Sequence, residues 1–140
     1  MALCGSFPEL IGVGIGYSID NSVDRLETSF SQIWGARARD LTPVSDKEWE
    51  ERQREAMSLD HVATGEAASF IQFMKKDLIP TVESEYRADG SRRILAGHSL
   101  GGLFVLHALF HDTDLFHGYV AASPSIWEAT YLKGKWQPTT

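Results

Sequence analysis

The amino-acid sequence predicts an α/β fold in which a parallel sheet is covered by helices, and three observations carry that prediction. Short apolar runs at 10–17, 93–97 and 117–122 are separated by stretches with helical character, the order expected when each strand returns through helices to a parallel neighbour. Between 65 and 87, Phe70, Ile71, Met74, Leu78, Val82 and Tyr86 recur at spacings of three and four, which stripes one face of a helix. The run at 93–97 ends in Gly97-His98-Ser99-Leu100-Gly101, and an apolar helix starts directly after it.

Taken in chain order, Pro8 leads into Leu10-Ile11-Gly12-Val13-Gly14-Ile15-Gly16-Tyr17, whose branched apolar residues suit a strand buried on both faces. Gly12, Gly14 and Gly16 fall on one face of that strand and mark the close approach of a neighbouring element. Residues 18–64 are polar and weakly periodic, and they read as a long excursion carrying at most short helices. Pro80 interrupts the helical pattern over 65–87 and should kink or divide the helix. Asp89-Gly90 is a turn signal. A strand over 93–97, a buried helix over 100–110 and a strand over 117–122 follow, with Asp112-Thr113-Asp114 breaking the chain between the last two. The end of the chain, from 133 onward, is polar and irregular.

Composition narrows the function. The chain has 140 residues, 43% of them hydrophobic and 23% charged, as expected for one globular domain. Thirteen Lys and Arg against nineteen Asp and Glu give a net charge of −6. Without a cluster of positive charge, neither nucleic acid nor an anionic membrane is an expected partner. Cys4 is the single cysteine, so no intrachain disulfide forms. No apolar run approaches the roughly 18 residues of a membrane span. The first residues lack the basic and apolar regions of a secretory signal, so the expected location is the cytoplasm.

The segment 97–101 has the form of a nucleophile elbow, in which a serine sits on a strained strand-to-helix turn between small residues. A serine hydroxyl attacks a carbonyl only when a base takes its proton and donors hold the oxyanion. The elbow supplies the geometry: Ser99 is the candidate nucleophile, and the backbone N–H of Leu100, at the positive end of the following helix, is the candidate oxyanion donor. Five residues are too short a pattern to stand alone, but an apolar strand before it and an apolar helix after it are the context the chemistry requires. Gly102 adds a third small residue where helix and strand pack closely.

Beyond the elbow the chain resembles the esterase D-like family of α/β hydrolases, and within it the branch of enterobactin- and salmochelin-type siderophore esterases. Four stretches carry the resemblance: 8–17; Arg37-Ala38-Arg39-Asp40-Leu41-Thr42-Pro43; 70–86, with Leu78-Ile79-Pro80 inside it; and 97–104 continuing to Ser123-Pro124-Ser125-Ile126-Trp127. The resemblance implies a partial α/β-hydrolase fold with three strands and the elbow present. It also implies a serine carboxylic-ester hydrolase that works through an acyl-enzyme on Ser99, without metal or organic cofactor. Glu128 stands where family members usually carry a second Trp. The match begins in the middle of the family's domain and stops before its end, so residues 1–140 are expected to form a single incomplete domain. The triad acid and base follow the serine in this fold, yet no His follows His117. The strand that normally lies between those at 10–17 and 93–97 also has no counterpart, so either a gap opens in the sheet or the register rearranges.

The remaining candidate residues have simpler roles open to them. His98 is the variable residue of the elbow and is expected to point away from Ser99 into packing. His107 and His111 stand at i and i+4 on one helix, but no acidic or Cys partner accompanies them at a motif spacing, so a core or surface role is expected and no metal. His61 and His117 are read as structural or solvated. Gly12-x-Gly14-x-Gly16 has the wrong spacing for a dinucleotide fingerprint, since Tyr17 occupies the third glycine's place and no helix opens immediately afterwards. Arg37, Arg39 and Asp40 suggest either an Arg–Asp pair that pins a long loop or a guanidinium near the active-site mouth, with Arg37 the candidate, that orients a carboxylate, catecholate or polar acyl group. Ser125 and Trp127 follow a strand on its carboxyl side, where open α/β sheets bind ligands, and are candidates to line the acyl pocket.

The expected partner is therefore a small-molecule ester, with oligomeric state left open by the sequence. An acyltransferase on the same scaffold, or a non-catalytic hydrolase fold kept for binding, are the alternative readings. The chain is expected to be part of a longer hydrolase. Sequencing the flanking DNA tests this: an open frame continuing past either end is the expected result, and a promoter and start before Met1 with a stop directly after Thr140 would count heavily against it.

Overall fold

The computed structural model describes residues 9–18, 26–59 and 61–126. Its centre is a β–α–β unit. Strand β1 (Ile94–His98) leads into helix α5 (Leu100–His111), which returns the chain to strand β2 (Gly118–Ala122). The two strands pair in parallel, with Ile94 opposite Gly118 and His98 opposite Ala122. Tyr119 and Leu95 pack against the core on one face of the pair. Ile94 and Val120 remain more than half exposed on the other.

Helices fill the segment in which at most short ones were expected. Helix α1 (Leu26–Leu41) has 16 residues and α2 (Lys47–Met57) has 11. Sequence periodicity understates both for different reasons. α1 buries a narrow face in which small Ala38 lies between Trp34 and Leu41, so little hydrophobic contrast shows. α2 is defined by its charges: Asp46 caps it by accepting the Trp49 N–H at 3.0 Å, and the pairs Glu48–Arg52 and Glu51–Arg54 lace its exposed side.

The helix expected over 65–87 is present in three continuous parts: α3 (Ala67–Phe73), a π-helical turn at Met74–Leu78, and α4 (Ile79–Glu85). Pro80 explains the π turn. A proline ring clashes with the carbonyl four residues earlier and donates no hydrogen bond, and widening the preceding turn lets the helix pass it without breaking. Met74, at the start of that turn, is 2% exposed and joins Ile71, Leu100, Leu103 and Phe104 in the main core. The Phe70 and Phe104 rings meet at 5.1 Å and 56°, locking α3 to α5. A second cluster of Ala38, Trp49, Leu59 and Val62 holds α2 against α1, and Trp34 touches both clusters.

Residues 10–17 are a correction to the expected three strands. The segment makes no ladder, so the sheet of the described residues has two strands. Nothing lies within 4 Å of a Cβ placed on Gly12, Gly14 or Gly16, and so the expected close approach is absent. Both packing outcomes open to the sequence presuppose a strand at 10–17, and the segment instead stands apart from the β1–β2 pair. A groove of about 780 Å³ separates Leu10, Ile11 and Val13 on one wall from Leu78, Val82 and Ile94 on the other. An apolar segment becomes a strand only by pairing, and among the described residues no strand pairs with this one.

The loops that carry α1 into α2 and α2 into α3 are tied together by a buried carboxylate. Glu50 is 7% exposed. Its Oε1 accepts the Thr64 N–H at 3.0 Å and the Thr64 hydroxyl at 2.7 Å, while its Oε2 accepts Lys47 Nζ at 2.8 Å. Alongside it, the Thr42 hydroxyl donates to the Ala38 carbonyl at 2.7 Å and accepts the Gly65 N–H at 2.8 Å. Burial raises the Glu50 pKa, but the hydrogen bonds from Lys47 and Thr64 outweigh it and leave the pKa below the ordinary 4.5. A carboxylate whose pKa is lowered on folding contributes stability that is complete above its unfolded pKa and is lost as pH falls through its folded value. Thermal unfolding across acid pH should therefore show a loss of stability in that window which Glu50→Gln removes. Glu50→Ala should cost about 2 kcal/mol at neutral pH by orphaning the buried Thr64 donors.

Candidate active site

Ser99 occupies the corner between β1 and α5. Its backbone, at φ 58° and ψ −120°, lies in a region that side chains other than glycine rarely enter, a strain of about 1–3 kcal/mol that the surroundings must hold. They do so with backbone hydrogen bonds. The Ser99 N–H donates to the Ala122 carbonyl at 3.1 Å, and the Ser99 carbonyl accepts the N–H of Ser125 at 3.1 Å and of Leu103 at 3.0 Å. Because the strands are parallel and His98 pairs with Ala122, Ser99 and residues 123–125 emerge from the same, carboxyl end of the sheet.

The elbow closes through glycines that are not equivalent. A Cβ on Gly97 would run into the Gly101 carbonyl, because the chain after Ser99 doubles back over the chain before it. A Cβ on Gly101 meets nothing within 4 Å. A Cβ on Gly102 would stand 2.9 Å from Pro124 Cα and 3.0 Å from the Ala122 carbonyl, which bears out the close packing expected there.

The serine hydroxyl points to a second serine. Ser99 Oγ lies 3.1 Å from Ser125 Oγ, and Ser125 is only 2% exposed. Ser125 was expected on a pocket wall; the fold sets it behind Ser99, inside the protein. Pro124 and the left-handed Ser123, at φ 42°, turn the chain so that it arrives there. This juxtaposition was missed at the level of sequence. The signal was the Ser-Pro-Ser run at the end of a strand parallel to the one that ends at the elbow.

Leu100 opens α5, so its N–H has no partner inside the helix, and among the described residues no acceptor is bonded to it. Arg37 lies on α1 in a separate cluster. The Asp40 carboxylate takes a two-point bond from Arg39, at 2.6 and 3.0 Å, and stands beside Tyr17. Burial, with Asp40 next, pushes the Tyr17 phenol up to about 12, against the opposing charges of Arg37 and Arg39. No hydrogen bond among the described residues joins Arg37 to the serine pair. Trp127 lies outside the described residues.

The histidines supply no base here. His98, expected in packing, is exposed; its strand face has no covering layer among the described residues. His107 and His111 stack at 4.2 Å on α5. Burial, reinforced by His111, lowers His107 to about 4, so it is neutral at physiological pH. Among the described residues no group of three His, Cys, Asp or Glu could hold a metal ion. No histidine or carboxylate bonds Ser99 Oγ among them either.

The unequal glycines generate a test. Gly97→Ala should destabilise the chain by about 3 kcal/mol through forced backbone overlap. Gly101→Ala, on a helix with open space beside it, should be neutral or stabilising by about 0.5–1 kcal/mol. Urea unfolding of both variants checks the contrast.

Comparison with known proteins agrees with this geometry. The family model described as "Putative esterase" matches residues 28–140. The ferri-bacillibactin esterase BesA of Bacillus subtilis is 38% identical over 133 residues, covering 94% of this chain and 41% of that protein. The siderophore enterobactin esterase of Emericella nidulans is 40% identical over 117 residues, covering 82% and 35%. Among solved structures, the BES protein of Bacillus cereus superposes with a TM-score of 0.56 at 37% identity, covering 67% of this chain and 32% of that one. The chain thus spans about two fifths or less of the length of these relatives. With its elbow on a parallel β–α–β unit, it belongs to the esterase family that this model describes, as a partial domain of α/β-hydrolase type.

Proposed function

We propose that this chain is the nucleophile-bearing part of a serine carboxylic-ester hydrolase, with Ser99 as the attacking residue and the Leu100 N–H as one oxyanion donor. The observation that carries the reading is the strained Ser99 at the carboxyl end of a parallel strand, directly before the first residue of α5. The relatives' names add substrate class. Esterases of ferri-bacillibactin, enterobactin and salmochelin point to siderophore-type esters, with short acyl esters as the simpler alternative. In this reading a His, assisted by an acid and supplied from outside the described residues, takes the Ser99 proton. Ser99 then attacks the ester carbonyl, the alcohol leaves, and water releases the acyl group.

Arg37 is proposed to orient a negatively charged or catecholate group of the substrate, since a guanidinium matches paired oxygens. Trp127 is proposed for the acyl pocket on the strength of its place after β2 alone. No helix of the described residues is long and apolar enough to cross a membrane, and a cytoplasmic site of action is part of the proposal.

Two measurements test the function. In the longer hydrolase expected to contain this segment, Ser99→Ala should lower turnover of nitrophenyl and siderophore esters at least a thousandfold. Unchanged turnover removes Ser99 from the mechanism. In the 140-residue chain, where the described neighbour of Ser99 Oγ is another hydroxyl, a fluorophosphonate probe should leave Ser99 unlabelled. Rapid labelling would show that a base reaches it and that the chain is active by itself.

A further inference from the structure

We infer that Ser125 is a positioning residue for the nucleophile: its buried hydroxyl donates to Ser99 Oγ, fixes the Ser99 side chain in one rotamer, and leaves the Ser99 proton facing the open side of the elbow. The inference rests on Ser99 being the nucleophile and deepens that reading.

Hydrogen-bond satisfaction sets the direction of the bond. A hydroxyl carries one proton and accepts at two lone pairs. Ser125 is 2% exposed, and among the described residues Ser99 Oγ is the partner of its hydroxyl. If Ser99 donated, the Ser125 proton would be buried without an acceptor, which costs about 1–3 kcal/mol. Ser99 is only partly buried, so its own proton can face solvent or a base at little cost. The arrangement with Ser125 as donor satisfies both groups.

The scaffold around Ser125 is rigid in the way such a role needs. Its N–H is bonded to the Ser99 carbonyl at 3.1 Å, so the two residues are linked through backbone as well as side chain. The Ser99 N–H is tied to Ala122 at the end of β2, and Gly102 leaves room for Pro124 to lie against α5. The hydroxyl of Ser125 is thus carried by the same strand end that fixes the elbow. At 3.1 Å the bond is long for two hydroxyls, enough to orient Oγ while leaving its second lone pair and its proton free. Holding a reacting atom in place lowers the entropic part of a barrier.

Nuclear magnetic resonance on the 140-residue chain reads this directly. The Hα–Hβ couplings of Ser99, identified by loss of its signals in Ser99→Ala, should be unequal in the unmodified chain, as for a single rotamer. They should average in Ser125→Ala and recover in Ser125→Thr, which restores a hydroxyl. The Ser125 hydroxyl proton should exchange slowly with water and that of Ser99 rapidly. Averaged couplings in the unmodified chain, unaltered couplings in a folded Ser125→Ala, or a slow Ser99 proton beside a fast Ser125 one would each overturn the inference. The first and last readings need no variant of Ser125, so the test survives if Ser125→Ala fails to fold. In a hydrolysing protein that carries the segment, Ser125→Ala should lower kcat about tenfold with KM unchanged, the rate equivalent of one neutral hydrogen bond. Absence of ester hydrolysis in the unmodified longer protein, with the couplings behaving as stated, would count against the enzyme reading and not against the Ser125 contact. Intact hydrolysis with averaged couplings in the unmodified chain would count against Ser125 alone.

Discussion

The chain leaving Ser99 passes so close over the chain entering it that no side chain fits at Gly97, and the rest of the site follows from that crossing. The tight reversal forces Ser99 into a positive-φ conformation and starts α5 at once, which leaves the helix's first N–H groups beside the serine hydroxyl. It also brings α5 back against the end of β2. Gly102 accepts Pro124 and Ala122 there at near-minimum distance, and the strand end returns the hydrogen bonds that hold Ser99 in its strained state. Strain and support come from the same few residues. A nucleophile on this turn is therefore only as well positioned as the β1–β2 pairing and the α5 packing that stand behind it.

The remainder of the molecule divides into what supports that turn and what is left open. α3, the π turn and α4 press Phe70, Ile71 and Met74 onto α5, and α1 and α2 extend the core through Trp34. Glu50 and Thr42 stitch the connecting loops to this scaffold with buried hydrogen bonds. The other side is less complete. Parallel sheets are ordinarily covered on both faces, yet Ile94 and Val120 are exposed, and a groove separates β1 from the apolar segment at 10–17. A chain that spans about two fifths of its relatives holds a parallel β–α–β unit and its elbow, and among the described residues part of the sheet surface is uncovered.

Legibility in the sequence varied with how local the physics was. The strand–elbow–helix unit was readable because its apolar runs and its glycines act within about fifteen residues of one another. The π turn was half readable: Pro80 announced an interruption, but whether a helix breaks or widens depends on the packing of Met74 and Leu78 on either side. α1 and α2 were misread because their stability lies in a narrow face with small residues and in charge pairs, neither of which yields strong periodicity. The segment at 10–17 was read as a strand from composition, but a strand is a relation between two segments. The serine pair was invisible for the same reason, since Ser99 and Ser125 meet only when β1 and β2 align in parallel register.

The sequence by itself determined the α/β class, the strand–turn–helix elbow at Ser99 and the family resemblance, because each rests on neighbouring residues and their periodicity. The tertiary structure decided the rest. It showed that Gly97 and Gly102 are sterically required while Gly101 is not, that the buried Ser125 hydroxyl meets that of Ser99, and that His98 lies in the open. Those facts depend on which backbones approach within a few ångströms of each other, and such distances are fixed by packing between elements that the sequence lists far apart.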